Sequence, residues 1–198
     1  ADGDGILIND AGTMRMSTVQ TVKTYMTAGV GGGGTEFIAS SGAISNGTAA
    51  VVFTSSHFDA SKYDNYIFYI MYCSPVTDAQ KLLAQESDDG GSSFYDGSSD
   101  YTIKNSGGSS ANAAGHQVSG NAACGNGSNE VVSSEFLLIS PHTSAKTMGF
   151  SSSIALNTYS ANGSKHENDV GVTNGIKFLW TSGNIKGGEI SMYGIVNA

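Results

Sequence analysis

Residues 171–196, GVTNGIKFLWTSGNIKGGEISMYGIV, decide the fold. Within them Ile176, Phe178 and Trp180 alternate with the intervening residues, and after the turn-rich residues 181–188 the alternation returns at 190–193. A period of two places alternate side chains on opposite faces of a strand. We therefore predict two strands joined as a hairpin, with Ile176, Phe178 and Trp180 on the core face.

An isolated hairpin is only marginally stable in water, so other strands must complete the sheet. Residues 66–73, YIFYIMYC, are apolar at successive positions, which predicts a central strand buried on both faces. Residues 81–86 and 93–95 flank the turn residues Asp88–Gly91 and predict a second hairpin. Further strands are predicted at 36–40, 49–55, 101–104, 130–139 and 147–156. Short strands of this number predict an all-β, antiparallel, jelly-roll-like β-sandwich.

Composition supports a turn-rich β protein and excludes some functions. The 198 residues include 27 Gly and 2 Pro, and 13% are charged against about 25% in ordinary domains. The net charge is −8 and the 9 Lys and Arg are scattered, so the cations that nucleic-acid binding needs are absent. Because no run of about 18 apolar residues occurs, we expect no membrane insertion.

The chain divides into three predicted parts. Residues 1–28 contain strands at 6–8 and 14–16, followed by a short helix that Ser17 and Gln20 would open as a capping box. This strand-strand-helix appendage is too small to bury a core alone. Residues 29–34, GVGGGG, predict a flexible linker, and residues 35–198 form the sandwich head. Since the chain starts at Ala1 without Met or a secretory signal, we expect it to be part of a longer protein.

Two cysteines do not make a disulfide framework. Cys73 lies in a predicted strand and Cys124 in a Gly/Asn-rich loop. A bridge between them is one alternative, but a free, buried Cys73 is favoured.

No motif predicts a metal, a cofactor or a catalytic centre. The Asp2–Gly5 segment resembles the start of a calcium loop, but Thr13 stands where that loop needs Glu. The four histidines are scattered over predicted loops, without zinc-site spacing. A cation among Asp88, Asp89, Asp96 and Asp100 is an alternative to turn chemistry, and a paired-acid glycosidase using Glu86, Glu130, Glu135 or Asp88 is an alternative to solvated surface acids. We therefore predict no enzyme.

The informative feature is a polar, Tyr-containing loop composition. Residues 105–129 hold little besides Gly, Ser, Asn and Ala, which predicts a disordered or functional loop. Such loops bind polar ligands in shallow sites, through adaptable hydrogen bonds and contacts with aromatic rings. The candidate ligand-binding residues are Tyr95, Tyr101, Asn112, His116, Tyr159 and His166. The alternative is that these loops merely solvate the ends of the sandwich.

Two regions carry a resemblance to known proteins. Residues 2–26, DGDGILINDAGTMRMSTVQTVKTYM, resemble a short module found along bacteriophage tail fibres and related virion proteins, often ahead of a distal head. YDNYIFYI at 63–70, QESDDGGSSF at 85–94 and the final GVTNGIKFLWTSGNIKGGEISMYGI are similar to the terminal domain of many phage structural proteins. Residues 105–129 match no pattern of that family.

The resemblance implies a non-enzymatic virion component on an exposed fibre or appendage. It also implies a homotrimer, in which the 6–26 segments pack around one axis and contact other virion proteins. We expect the head to bind a host-surface receptor, a glycan or a protein, through its loops. A purely structural capsid-decoration or tail-assembly protein and a glycan depolymerase are the alternatives.

Overall fold

The computed structural model describes residues 5–19, 21, 34–105, 110–120, 123–143, 146–155, 158–167 and 171–197. The chain separates into two compact units, Ala1–Gly33 and Gly34–Asn197. Both are built from antiparallel strands. The predicted all-β class is confirmed.

The N-terminal unit contains a hairpin of β1 (Gly5–Asp10) and β2 (Thr13–Thr18). Its two-residue turn uses Ala11 and Gly12, whose φ angles of 48° and 90° are those of a tight hairpin turn. Ser17, the predicted helix cap, instead ends up in β2, and the Thr18 hydroxyl accepts the Thr21 N–H at 3.1 Å. Gln20, most of the predicted helix and residues 29–33 of the predicted linker lie outside the described residues.

The head unit contains twelve named strands and one short 3₁₀ turn, Ser55–His57, among its described residues. In chain order the strands are β3 (Thr35–Ser40), β4 (Val51–Phe53), β5 (Tyr63–Pro75), β6 (Leu82–Ser87), β7 (Tyr101–Asn105), β8 (Ser110–Ala113), β9 (His116–Gln117), β10 (Val132–Ile139), β11 (Met148–Ala155), β12 (Thr158–His166), β13 (Gly175–Trp180) and β14 (Ile185–Val196).

Two sheets form a β-sandwich. The larger has eight strands in the order β3-β14-β5-β10-β11-β12-β7-β8, and the smaller has four in the order β4-β13-β6-β9. Aromatic rings join them: Phe68 of the larger sheet lies 5.0 Å from Phe178 and 5.6 Å from Phe53 of the smaller sheet, centroid to centroid. The sandwich is therefore confirmed, and jelly-roll connectivity stays a prediction.

The predicted terminal hairpin is wrong in its pairing, although its core face is right. Ile176, Phe178 and Trp180 are buried, at 0%, 0% and 2% exposed. However, β13 pairs with β4 and β6, whereas β14 pairs with β3 and β5 in the other sheet. The turn after Trp180 thus carries the chain across the sandwich. This crossing lets the apolar faces of both runs meet in one core instead of lying side by side.

Polar strands explain the other differences from prediction. Residues 93–95 form no strand, and only the Tyr95 N–H reaches back to the Glu86 carbonyl, at 3.0 Å. The predicted loop at 105–129 contains β8 and β9, and β12 lies in a region, 158–166, for which the sequence predicted no strand. The inward residues of β9 and β12 are Ser, Asn, Gln and His, and those of β8 are Ala, so none of the three shows a strong apolar alternation. Side chains such as Ser151 instead hydrogen-bond to the buried backbone of β9, at 3.1 Å from the Gln117 carbonyl.

The central strand β5 is buried on one face only. Tyr66, Phe68 and Ile70 point into the core and are at most 1% exposed. Tyr69 and Met71 point the other way and are 39% and 37% exposed. The prediction of burial on both faces is therefore wrong, and we call the uncovered side of the larger sheet its outer face.

Both cysteines are free and buried, as the favoured alternative expected for Cys73. Burial raises the pKa of the Cys73 thiol to about 12 and that of Cys124 to about 11. Both are therefore protonated and poorly nucleophilic at neutral pH.

The crossing of the chain between sheets is tested by a double-mutant cycle. Because the Phe68 and Phe178 rings pack across the two sheets, Phe68→Leu and Phe178→Leu should couple by about 1 kcal/mol in urea unfolding. The matched pair Phe37→Leu and Phe178→Leu, with Phe37 exposed on the outer face, should be additive within about 0.5 kcal/mol. Equal coupling in the two cycles would contradict the sandwich packing.

Candidate functional site

Four of the six predicted ligand-binding residues come together inside the head. Tyr101 of β7 stacks on His166 of β12, with centroids 4.6 Å apart and planes 13° apart, and meets His116 of β9 edge-on at 4.8 Å. Tyr95 lies 4.7 Å from His166. Tyr101, His116 and His166 are at most 1% exposed. Their predicted place in exposed loops is therefore wrong.

A buried carboxylate holds this group together. Glu86 of β6 is 0% exposed, and its Oε1 lies 2.5 Å from His116 Nε2. Its Oε2 accepts the Thr173 hydroxyl and lies 3.7 Å from His166 Nδ1. The surface-acid interpretation is therefore wrong for Glu86. We call Glu86, Tyr101, His116, Ser164, His166 and Thr173 the polar cluster.

The electrostatics of the polar cluster keep Glu86 charged. Burial acts to raise the pKa of Glu86, but hydrogen bonds from His116 and Thr173, together with the nearby His166 ring, outweigh it and lower that pKa to about 2. Burial and the Glu86 charge raise the pKa of Tyr101. Its phenol oxygen accepts the backbone N–H of Glu86 at 2.8 Å.

The polar cluster contains a Ser–His–Glu chain, which invites comparison with a hydrolase triad. His116 Nδ1 lies 2.6 Å from Ser164 Oγ, on the side of the ring opposite Glu86. However, the Ser164 hydroxyl also donates to the Gly149 carbonyl at 3.2 Å, and the imidazole between serine and glutamate is 0% exposed. The imidazole and the glutamate are thus sealed from solvent while Ser164 is half-buried, and the polar cluster ties β6 and β9 of the smaller sheet to β7 and β12 of the larger sheet.

A second candidate binding site, which is exposed to solvent, lies on the outer face. A shallow hollow of about 380 Å³ crosses β5, β10, β11 and β12 there. We call it the outer hollow; its side chains are Tyr69, Met71, Ser133, Glu135, Ser152, Ile154 and Tyr159, and the walls also include residues 70 and 134. Tyr159 is a predicted ligand-binding residue and is 67% exposed.

Strand register sets the arrangement of the outer hollow. Tyr69 stands directly opposite Glu135, Glu135 opposite Ser152, and Ile154 opposite Tyr159. Because β5 and β12 are three strand spacings apart and Tyr159 lies two residues along β12 from the row of Tyr69, the two tyrosines are separated by about 16 Å. The Ser152 hydroxyl donates to the Tyr159 phenol oxygen at 3.4 Å. Two aromatic surfaces thus flank one carboxylate and two serine hydroxyls.

Asn112 and Tyr95 lie apart from the outer hollow. Asn112 is exposed on the edge strand β8 and donates to Ser99 Oγ at 3.4 Å. The Tyr95 hydroxyl donates to Asp88 at 2.9 Å, and burial together with Asp88 raises the pKa of Tyr95 to about 12. The structure therefore does not bring the six predicted residues into one surface.

Sequence reasoning missed Tyr69, and it considered Glu135 only as one acid of a paired-acid glycosidase. The available indication was the 66–73 run itself, in which aromatic residues occupy both faces of one strand. We interpreted both faces as core, although one face carries the outer hollow.

The acidic turn after β6 has a structural explanation. The Asp89 carboxylate accepts bonds from the Ser87 and Ser93 hydroxyls and from the backbone of Ser92 and Ser93, at 2.6–2.9 Å. These bonds lower the pKa of Asp89. Within the described part of the chain, no group of three His, Cys, Asp or Glu side chains is arranged to hold a metal ion.

Fold and site together define a two-sheet antiparallel β-sandwich with an aromatic, carboxylate-bearing hollow on one sheet face. Comparisons with family models, with known proteins and with solved structures gave no match. Among the described residues, no helix has the length and apolar character needed to cross a membrane.

The structural role of the polar cluster predicts a specific pH dependence. Since the pKa of Glu86 is lowered from 4.5 to about 2 in the folded state, its stabilisation is complete above pH 4.5 and is lost as the pH falls toward 2. Glu86→Gln should lower the free energy of unfolding at pH 7 by about 3 kcal/mol and reduce the loss of stability between pH 4.5 and pH 2.

Glu135→Gln, an exposed control, should change the free energy of unfolding by less than about 0.5 kcal/mol. Chemical denaturation between pH 2 and 7 measures both, and equal profiles for Glu86→Gln and wild type would refute the role.

Proposed function

We propose that this chain is a distal fibre or spike domain of a bacteriophage virion that binds a host-surface glycan without chemical change. The resemblance of residues 2–26, 63–70, 85–94 and 171–195 to phage structural proteins supports the virion assignment. The outer hollow is the observation that carries the binding function. In this proposal the glycan contacts a sheet face, whereas the sequence analysis predicted that the loops of the head bind the receptor.

The outer hollow has the chemistry that sugars require. The exposed rings of Tyr69 and Tyr159 offer apolar surfaces for the C–H faces of pyranose rings. Glu135, Ser133 and Ser152 line the hollow and supply acceptors and hydroxyls for sugar hydroxyls. A length of about 16 Å between the tyrosines admits a short oligosaccharide.

Charge narrows the class of glycan. The net charge is −8, and the carboxylate in the outer hollow is Glu135, with no Lys or Arg among the residues that line it. An acidic sugar would be repelled, so we propose a neutral or amino-substituted glycan. Such a shallow site binds weakly, and repetition in an oligomer would add avidity.

Two alternatives from the sequence remain distinct. A depolymerase acting by paired acids needs two opposed carboxyl groups, and the outer hollow offers Glu135 alone among its lining residues. A capsid-decoration or tail-assembly protein needs no sugar site. We retain the homotrimer, with the N-terminal unit contacting other virion proteins, as part of the leading proposal.

Glycan binding is tested by single substitutions. Shortening residues 105–129 is unsuitable, because β8, β9 and the buried Cys124 lie there. Tyr159→Ala should weaken binding of neutral oligosaccharides on a glycan array, followed by calorimetry, about tenfold, since one stacking surface is worth roughly 1 kcal/mol or more. Tyr159→Phe should retain most of the affinity, because the ring remains.

Val52→Ala is the control, since Val52 is 40% exposed on β4 of the opposite sheet. It should bind as wild type does. The glycan proposal fails if no neutral or amino-substituted glycan binds the wild-type chain, or if Tyr159→Ala and Val52→Ala bind equally well. Cleavage of a bound glycan would instead favour the depolymerase.

A further inference from the structure

A row of apolar side chains crosses the outer face beside the outer hollow. Strand register places each member directly opposite the next across five neighbouring strands. We call it the apolar row; from the sheet edge inward its members are Phe37 of β3, Tyr193 of β14, Ile67 of β5, Leu137 of β10 and Phe150 of β11.

The apolar row is not covered by the rest of the described chain. Phe37 is 56% exposed and Phe150 is 48% exposed, and the other three members are half-buried. The Phe37 and Tyr193 rings meet edge to face at 5.5 Å. On the side away from the outer hollow, Ile139 and Met148 continue the apolar surface as a directly opposed pair.

Such a surface is unusual for a sheet that faces water. Antiparallel sheets with one solvated face place polar side chains on it, yet the apolar row contains no charged residue. Contiguous apolar patches beyond a few hundred Å² mark interaction sites. The apolar row and the neighbouring pair span about 20 Å by about 7 Å, roughly 140 Å², so an interface of standard size must extend over most of the eight-stranded face, which covers roughly 900 Å². A standard protein interface buries about 800 Å² on each partner.

We infer that a second copy of this chain covers the apolar row. A row without charged members is complementary to itself, and apolar sheet faces stack about 10 Å apart as in a sandwich core. The other classes of occupant fit less well. A glycan would find one phenol hydroxyl, on Tyr193, along the row, and the anionic chain supplies no cationic patch for nucleic acid or an acidic membrane.

The interface lies on the head itself, and it does not depend on the glycan proposal. Because β3 is the edge strand, the apolar row reaches the rim of the larger sheet at Phe37. The outer hollow begins one row further along the strands, where Tyr69 contacts the Tyr193 ring at 5.5 Å. A contact of standard size takes up most of this face, so a partner seated on the apolar row would also cover the outer hollow, and assembly would compete with glycan binding there.

Sedimentation equilibrium of the full chain between 1 and about 100 μM tests this inference, since interfaces of standard size assemble within that range. Wild type should form a dimer, because a self-complementary face is fully used once two copies have joined. Phe150→Glu buries a charge in the contact and should weaken association at least about 100-fold. Val52→Glu, the same kind of change on the smaller sheet, should assemble as wild type does.

Phe37→Glu, at the exposed edge of the row, is the second variant if Phe150→Glu lowers the unfolding midpoint. A monomeric wild type at about 100 μM, or unchanged assembly of both row variants, overturns the inference; the latter result would assign assembly to another surface, such as the N-terminal unit. A dimer would support the interface and contradict the trimer. Glycan binding by the Phe150→Glu monomer, with its single-site affinity unchanged, would separate this outcome from that of the glycan proposal.

Discussion

Packing of aromatic rings between two unequal sheets is the constraint on which the head depends. Phe178 of the smaller sheet lies 5.0 Å from Phe68 and 6.2 Å from Phe136, both on the larger sheet. A four-stranded sheet can cover only one side of an eight-stranded one. The opposite side must therefore be solvated or contact other molecules, and its Phe, Tyr, Ile and Met residues favour contact. The outer hollow and the apolar row are two parts of that uncovered side.

At the other end of the sandwich, the two sheets are joined by buried hydrogen bonds instead of aromatic packing. Over β12 and β7 the apolar core gives way to buried Ser, Asn and His side chains, with Glu86 at their centre. A buried charge is tolerated because donors surround it, and loss of one partner would leave that charge uncompensated. This exchange of apolar for hydrogen-bonded contact explains how a chain with 39% apolar and 13% charged residues forms an extended sandwich.

The sequence predicted what apolar periodicity controls. It gave the β class, the positions of β5, β10, β11 and β13, and the inward faces of Ile176, Phe178 and Trp180. The partners of β13 and β14 could not be predicted, because two alternating strands in sequence can pair with each other as a hairpin or lie in different sheets. Strands β9 and β12 have polar inward residues and β8 has only Ala there, so none of the three carries a strong periodic apolar pattern. Of the candidate site, Tyr159 was found from loop composition, whereas Tyr69 was missed because exposed and buried aromatic faces look alike in sequence.

The central claim is that the outer face of the larger sheet meets other molecules and the smaller sheet faces solvent. Hydroxyl-radical footprinting of the full chain at high and low concentration tests it most directly, because oxidation follows side-chain exposure. Phe37, Met148 and Phe150 are 46–56% exposed in the single chain and Val52 is 40% exposed, so all four should be oxidised at low concentration. At high concentration the first three should become protected while Val52 stays reactive. Equal oxidation of all four at both concentrations would contradict the claim.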